Sequence, residues 1–453
     1  MSPDSATNEE QGLRHQLSAG QMAMVAVGGS IGTGLLLGSA AAIGFAGPGV
    51  ILSFALAAFC NWTVAMALGE LSSKHPAAGS FGVYGELYLN KWAGFVSQAG
   101  YWAAIALSVG ASLVAAATYM QYWFAAVPPL VWVVVFSVLL MLVNLRSVHS
   151  YGQFEYWFSM VKLATIAAFI VIGGGLLLGG RIPSHYVSDG GFFPRGPLAP
   201  LLGMTIALYT FGGVEIVAIT TGESRSVEEI ARAVRYTFTI LTIVYLGAVS
   251  VLVGTIPWNR VGVSESPFVT VFRIIRIPAA SGVMNFVILT AALSGANANL
   301  YAASRMLFSL GRKGWAPARL GELNAAGSPK LALLASSYGI LVALVAEKWI
   351  PGNAFVYILS AALFGLMLSW LVSLAAHVSF RRRSSPQELQ SLPMRSPLGA
   401  AGSMLGFALV CAAVLRTWWD SRVNLISGLA YLALFSAAYA VMRKARRRST
   451  IIQ

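Results

Sequence analysis

The sequence predicts an all-α integral membrane protein of about twelve transmembrane helices. The first ten are expected to form a five-plus-five inverted repeat with helices 1 and 6 broken, and two C-terminal helices follow. Three observations carry this. Hydrophobic residues make up 57% of the chain and charged residues only 10%, at a mean hydropathy of +0.72, a balance suited to hydrocarbon rather than water. Long stretches lack charge altogether: no Asp, Glu, Lys or Arg occurs between Arg14 and Glu70, room for two helices of about 20 residues each. The first and sixth apolar segments are each interrupted by glycines, the pattern that a pair of broken helices leaves in the two halves of such a repeat.

The spans fall at about 21–45, 50–71, 94–123, 129–146, 154–179, 199–222, 235–256, 281–309, 330–346, 353–379, 398–416 and 424–442. Basic residues set their orientation, because cytoplasmic loops collect Lys and Arg. With the N-terminus inside, 21 of the 30 Lys and Arg residues fall on the cytoplasmic side and both termini are cytoplasmic. The expected layout is a cytoplasmic tail over 1–19, a ten-span core over 20–380, a basic cytoplasmic loop over 381–397, the last two spans over 398–442 and a basic cytoplasmic tail over 443–453. Met1 to Ala19 is polar, without a short apolar core and small-residue cleavage site, so the first span is expected to stay in the mature chain. The longest outside segment, Pro257 to Ala280, is too short to be a domain.

The first interruption is Gly28-Gly29-Ser30-Ile31-Gly32-Thr33-Gly34, near the centre of span 1. Each glycine weakens a helix interior by about 1 kcal/mol relative to alanine, so the cluster favours unwinding. Unwound backbone is tolerated at membrane depth only where it is buried in protein or lines a watery cavity. Such a break bares N–H groups on one half-helix and carbonyls on the other, one attracting anions and the other cations. The N–H groups of Thr33 and Gly34 open the outer half-helix, so a carboxylate is expected there. A site for a small zwitterion is one reading. Close helix packing through the Gly28/Gly32 pair is the other. A nucleotide loop is a weaker reading still: no strand precedes the glycines and no acidic residue follows at about 20 residues.

The second interruption, Tyr209-Thr210-Phe211-Gly212-Gly213-Val214-Glu215, lies inside span 6. A charge at that depth costs at least about 2.5–3.5 kcal/mol, so Glu215 is either a hydrogen-bonded tie across the break or a gating group. Tyr209 or Phe211 is placed to act as an aromatic lid, or simply to pack. Lys162 sits about eight residues into span 5, or ~12 Å. A buried amine is disfavoured in its charged form, so it can exchange a proton near neutral pH. It is placed to bridge helix 5 to the carbonyl end of helix 1, near Gly29, and to Ser294 of helix 8. Snorkelling to the cytoplasmic interface is the alternative. Glu70 ends span 2 at the interface, Glu155 opens span 5, and Arg305 lies near the cytoplasmic end of span 8.

Several function classes are excluded. The net charge of +14 resides in loops between spans, as topology requires, and not in a nucleic-acid-binding face. Cys60 and Cys411 sit in apolar segments as buried small hydrophobes. The five histidines fall in loops or at span ends without metal spacing, so neither a metal site, a cofactor nor a membrane-embedded enzyme is expected.

Taken together, the motifs resemble those of the amino acid–polyamine–organocation (APC) superfamily, in its bacterial amino acid permease branch. The resemblance rests on Gly28 to Ser39 with Gly47-Pro48-Gly49 after it, on Val161-Lys162-Leu163, on Phe211 to Glu223, and on Ser294 to Leu307, and it extends from about Leu17 to Arg383. It implies the LeuT-type fold and import of an α-amino acid. In that family the first break, here Ser30, Ile31, Gly32, Thr33 and Gly34, holds the substrate's carboxylate and amine. The second, here Tyr209, Phe211, Gly212, Gly213 and Val214, completes the amine site and supplies an aromatic lid. Lys162 stands where related transporters bind sodium. Two departures matter. Many members read Ala-Glu-Leu-Thr-Ala in helix 3 where this chain reads Ala111-Ser112-Leu113-Val114-Ala115, and many carry a carboxylate at Gln153. The missing helix-3 carboxylate argues against a cationic substrate side chain.

The function expected from the sequence is therefore proton-coupled import of a neutral amino acid across the cytoplasmic membrane by alternating access. The partners are the amino acid, the proton and the lipid bilayer, and no cofactor is involved. An amino acid exchanger using the same site is the alternative, and a channel is the competing class.

Overall fold

The computed structural model describes residues 19–75, 80–146, 151–213, 227–275, 278–324, 328–420 and 422–451. All regular structure among them is helical. In chain order the helices are α1 (Ala19–Ser30), α2 (Ser39–Ala46), α3 (Val50–Lys74), α4 (Ser80–Tyr88), α5 (Lys91–Met120), α6 (Pro129–Arg146), α7 (Tyr151–Leu178), α8 (Ala199–Thr210) and α9 (Val227–Thr255). They continue as α10 (Pro267–Ile274), α11 (Pro278–Arg312), α12 (Lys330–Ser336), α13 (Tyr338–Trp349), α14 (Ala354–Arg383), α15 (Pro386–Gln390), α16 (Gly399–Asp420) and α17 (Arg422–Ile451).

Among the described residues eight helical stretches are long and apolar enough to cross a membrane. One of them runs from Met22 to Lys74 and takes in α1, α2 and α3 together. Shorter apolar helices occupy Pro129–Asn144 and Ala199–Thr210. The chain is a multi-pass membrane protein, and its outer faces suit lipid. On α6, Val131, Val135, Val138 and Leu142 recur at helical spacing and are all exposed.

Helix α5 is the axis of the bundle. It is buried along nearly its whole length, with α11 and α14 packed against it. Asn90 caps its start, Oδ1 accepting from the Ala93 N–H at 2.9 Å. Its small residues let neighbours approach to backbone contact. A Cβ at Gly365 of α14 would strike the Gly100 carbonyl oxygen, and one at Gly339 of α13 would strike that of Ala106. The second approach coincides with a break: residues 330–346 were expected as one helix, but α12 stops at Ser336 and α13 restarts at Tyr338. α9 begins earlier than its expected span, at Val227. Glu228 and Glu229 suit its first turn, and Glu229 Oε2 accepts the Ala19 N–H at the start of α1.

Two further apolar segments are not continuous helices. Regular α-helix ends at Ser30, Ile31 and Gly32 bend, and a π-helical turn over Gly34–Gly38 leads into α2. Gly47, at φ +60°, then turns the chain into α3. In the sixth segment α8 ends at Thr210 and Phe211, Gly212 and Gly213 form a turn. Val214 and Glu215 lie outside the described residues.

At one end of the bundle Glu70 is fully buried rather than interfacial. Its Oε2 accepts from Arg381 Nη2 at 2.7 Å and from the Ser396 N–H at 2.6 Å, with His377 Nε2 at 3.3 Å. The segment after α14 is thereby folded back over α3, and Met394 covers Gly69. Removing one partner of a buried ion pair costs about 3–5 kcal/mol, because the other charge stays buried. Arg381→Ala is therefore expected to lower the melting temperature in detergent markedly. Arg382→Ala, at an exposed position, serves as the neutral control. Equal melting of the two variants would contradict the assignment of Glu70 as a structural anchor.

Candidate functional site

The two interrupted segments meet. Gly213, at φ +111°, packs so tightly on Ser30 that a Cβ there would lie 2.5 Å from Ser30 Oγ and 3.2 Å from its Cα. A Cβ at Gly34 would lie 3.0 Å from both Thr210 Cα and the Tyr209 ring. Only glycine supplies the positive φ and the missing side chain that Gly213 needs. At this junction is a cavity of about 70 Å³. The breaks contribute Gly29, Ser30, Gly32, Thr33, Gly34, Tyr209, Thr210, Gly212 and Gly213 to its wall. Helix α5 adds Tyr101, Ser108 and Ser112, and α11 adds Gly295 and Asn299. No charged side chain is among the described residues lining it.

Its polarity comes from helix ends. The carbonyl ends of α1 and α8 both arrive here, bringing partial negative charge, while the segment that starts at Thr33 brings its N–H end. One cavity thus offers an environment for a cation and for an anion without a formal charge in the wall.

The freed carbonyls around the first break are satisfied from three directions. Tyr245 of α9 donates its hydroxyl to the Ser30 carbonyl at 2.8 Å. Lys162 of α7, 2% exposed, donates to the Gly28 carbonyl at 3.2 Å and to Ser294 Oγ on α11 at 3.1 Å. Ser266, just before α10, donates to the Leu36 carbonyl at 2.7 Å.

The sequence-predicted residues therefore separate. Ser30, Gly32, Thr33, Gly34, Tyr209, Gly212 and Gly213 line the cavity. Ile31 is fully buried in the apolar core and is not part of the wall. Phe211 is likewise inaccessible, its ring 4.8 Å from that of Tyr245 and 6.4 Å from that of Phe54. Of the two aromatics, Tyr209 faces the cavity. Lys162 is not part of the wall, and it donates to the carbonyl of Gly28, next to Gly29. Sequence reasoning did not find Tyr245, one aromatic among many in an apolar helix. Ser112 was noticed only as a departure from a family pattern, and its place on the wall gives that departure a location. Among the described residues no cluster of His, Cys, Asp and Glu could hold a metal ion.

The chain matches the amino acid permease family over residues 21–445. It is 33% identical over 444 residues to the γ-aminobutyric acid permease of Bacillus subtilis (strain 168), covering 96% of this chain and 95% of that one. A probable threonine/serine transporter, YbxG, of the same organism is also 33% identical, over 96% of each chain. The aromatic amino acid transport protein AroP of Escherichia coli (strain K12) is 34% identical over 413 residues, 89% of this chain and 90% of that one. These are transport proteins and not enzymes, and with family and relatives matched along nearly its full length, the chain belongs to the amino acid permease family of the APC superfamily.

Proposed function

We propose that the protein is a secondary active transporter that imports a neutral α-amino acid across the cytoplasmic membrane by proton symport and alternating access. The observation that carries this reading is the small cavity where two interrupted helices meet, with carbonyl ends and an N–H end converging on it. That arrangement suits an α-ammonium and an α-carboxylate at once. The absence of a charged side chain from the described wall favours a neutral substrate.

The fold we propose is the LeuT-type repeat with twelve crossings. The stretch Met22–Lys74, 53 residues, is long enough for two, and α6, α8 and α17 supply the ones too short or too polar to count by hydropathy alone. Residues 20–380 then form the transport core, 398–442 its two accessory spans, and 1–19, 381–397 and 443–453 the cytoplasmic tail, loop and tail, as the basic residues favour. Ser30, Gly32, Thr33 and Gly34 of the first break and Tyr209, Gly212 and Gly213 of the second bind the substrate's α-ammonium and α-carboxylate. Tyr209 is the aromatic lid.

In this reading Lys162 couples the proton. Protonated, it ties α7 and α11 to the Gly28 carbonyl of α1. Deprotonated, it loses the charge that makes the tie strong and frees α1 to move. Proton loss toward the cytoplasm and release of α1 then belong to one step. Uptake is expected to rise as external pH falls, because the protonated form is the loaded one.

Two measurements test the site and the coupling separately. Gly34→Leu pushes a side chain into Tyr209 and Thr210 and should abolish substrate binding in a protein that still inserts. Undiminished affinity in a binding assay on that variant would remove the first break from the site. Lys162→Ala should still bind substrate yet fail to concentrate it in proteoliposomes with an imposed pH gradient and no sodium. Accumulation by that variant, or wild-type accumulation that requires sodium, would rule out the coupling role.

A further inference from the structure

Tyr209 is the shared wall of two cavities. On one side is the central cavity, where Ser30, Thr33, Ser108, Ser112 and Asn299 supply polar groups beside Tyr101, Ile105 and Leu366. On the other is a second cavity of about 30 Å³, lined chiefly by apolar groups, among them Phe45, Ile206, Leu359, Leu363, Phe364 and Met367. The ring between them is closely packed. Gly34 leaves only the space of an absent Cβ beside it. Ser108, which gives its own proton to the Ala104 carbonyl at 2.8 Å, shares the wall of the central cavity with Tyr209.

We infer that Tyr209 determines specificity by size: it restricts the central site to small neutral side chains and keeps an apolar subsite closed behind it. The magnitudes point this way. An apolar cavity of about 150 Å³ is what accommodates a benzene-sized molecule. The central cavity, about 70 Å³, is less than half of that, and the space an aromatic side chain would need is closed off by the Tyr209 ring. The hydroxyls of Ser108 and Ser112 and the Asn299 amide offer partners to a substrate hydroxyl. Removing the phenol ring would join the two cavities and vacate the volume of one aromatic ring against an apolar lining. The named relatives handle substrates from threonine and serine to aromatic amino acids, so identity alone does not choose between these sizes.

This inference rests on the transport reading above, and the experiment separates the two. Full-length protein in proteoliposomes is loaded with unlabelled serine, and entry of labelled serine by counterflow is measured against competing alanine, threonine, phenylalanine and tryptophan. In wild-type protein phenylalanine should compete at least about tenfold more weakly than alanine or threonine. Tyr209→Ala should strengthen phenylalanine competition about tenfold relative to alanine. Tyr209→Phe, which keeps the ring and loses only the hydroxyl, should retain the wild-type order. If Tyr209→Ala does not reach the membrane, Tyr209→Leu carries the same expectation in weaker form. Wild-type protein that accepts phenylalanine as well as threonine overturns the inference, as does an unchanged ratio in the reduced variants. Wild-type protein that exchanges none of these amino acids overturns the transport reading, and this inference with it.

Discussion

Backbone amides that leave the helix at membrane depth must find partners inside the protein, because hydrocarbon offers none. The first broken helix shows how that requirement organises its surroundings. The Gly28 carbonyl takes Lys162 from α7, the Ser30 carbonyl takes Tyr245 from α9, and the Leu36 carbonyl takes Ser266 from the segment before α10. Each donor comes from a different element, so the position of the break fixes the positions of three neighbours. An unsatisfied buried carbonyl costs about 1–3 kcal/mol, enough that none of the three can be lost without consequence for the junction.

The same junction explains why glycines gather in both interrupted segments. Gly213 and Gly34 are the points where each break leans on the other, the first against Ser30 and the second against Thr210 and Tyr209. With side chains at these points the half-helices would be held apart and the cavity would open to its neighbours. Closeness also links their movements: α1 cannot shift at Ser30 without disturbing Gly213. Tyr245 strengthens the link, since one side chain bonds the Ser30 carbonyl and packs edge-on against Phe211 of the other break.

Much of this was legible in the sequence, for a physical reason. Glycine in an apolar segment is costly, so Gly28 to Gly34 and Gly212-Gly213 stand out without any structure. A lysine in a span needs a partner, so Lys162 and Ser294 could be paired in advance. What was not legible is what the sequence signals weakly. Tyr245, Ile31 and Phe211 are apolar-segment residues whose facing depends on helix rotation, which periodicity does not resolve in helices that are apolar all round. Buried Ile31 and Phe211 therefore looked as eligible for the cavity wall as Tyr209. Glu70 looked interfacial because its place at a helix end is local information. Its burial under Arg381, His377 and Ser396 depends on a segment more than three hundred residues away in the chain.

The three donors that serve the first break are not equivalent, and the difference localises any control by protons. Tyr245 and Ser266 present neutral hydroxyls, which donate at any pH a cell encounters. Lys162 alone changes charge when it gives up a proton, and a charge-assisted hydrogen bond is roughly twice as strong as a neutral one. In the proposed coupling, proton loss from Lys162 would weaken the hold on Gly28, and so on α1, while the Leu36 carbonyl in the following π-turn keeps its neutral partner. The half-helix before the break would loosen and the half-helix after it would stay anchored. A site built on that break would keep the N–H end that faces a carboxylate while the carbonyl end is released. Under that proposal, a proton would move one half of the site without dismantling the other.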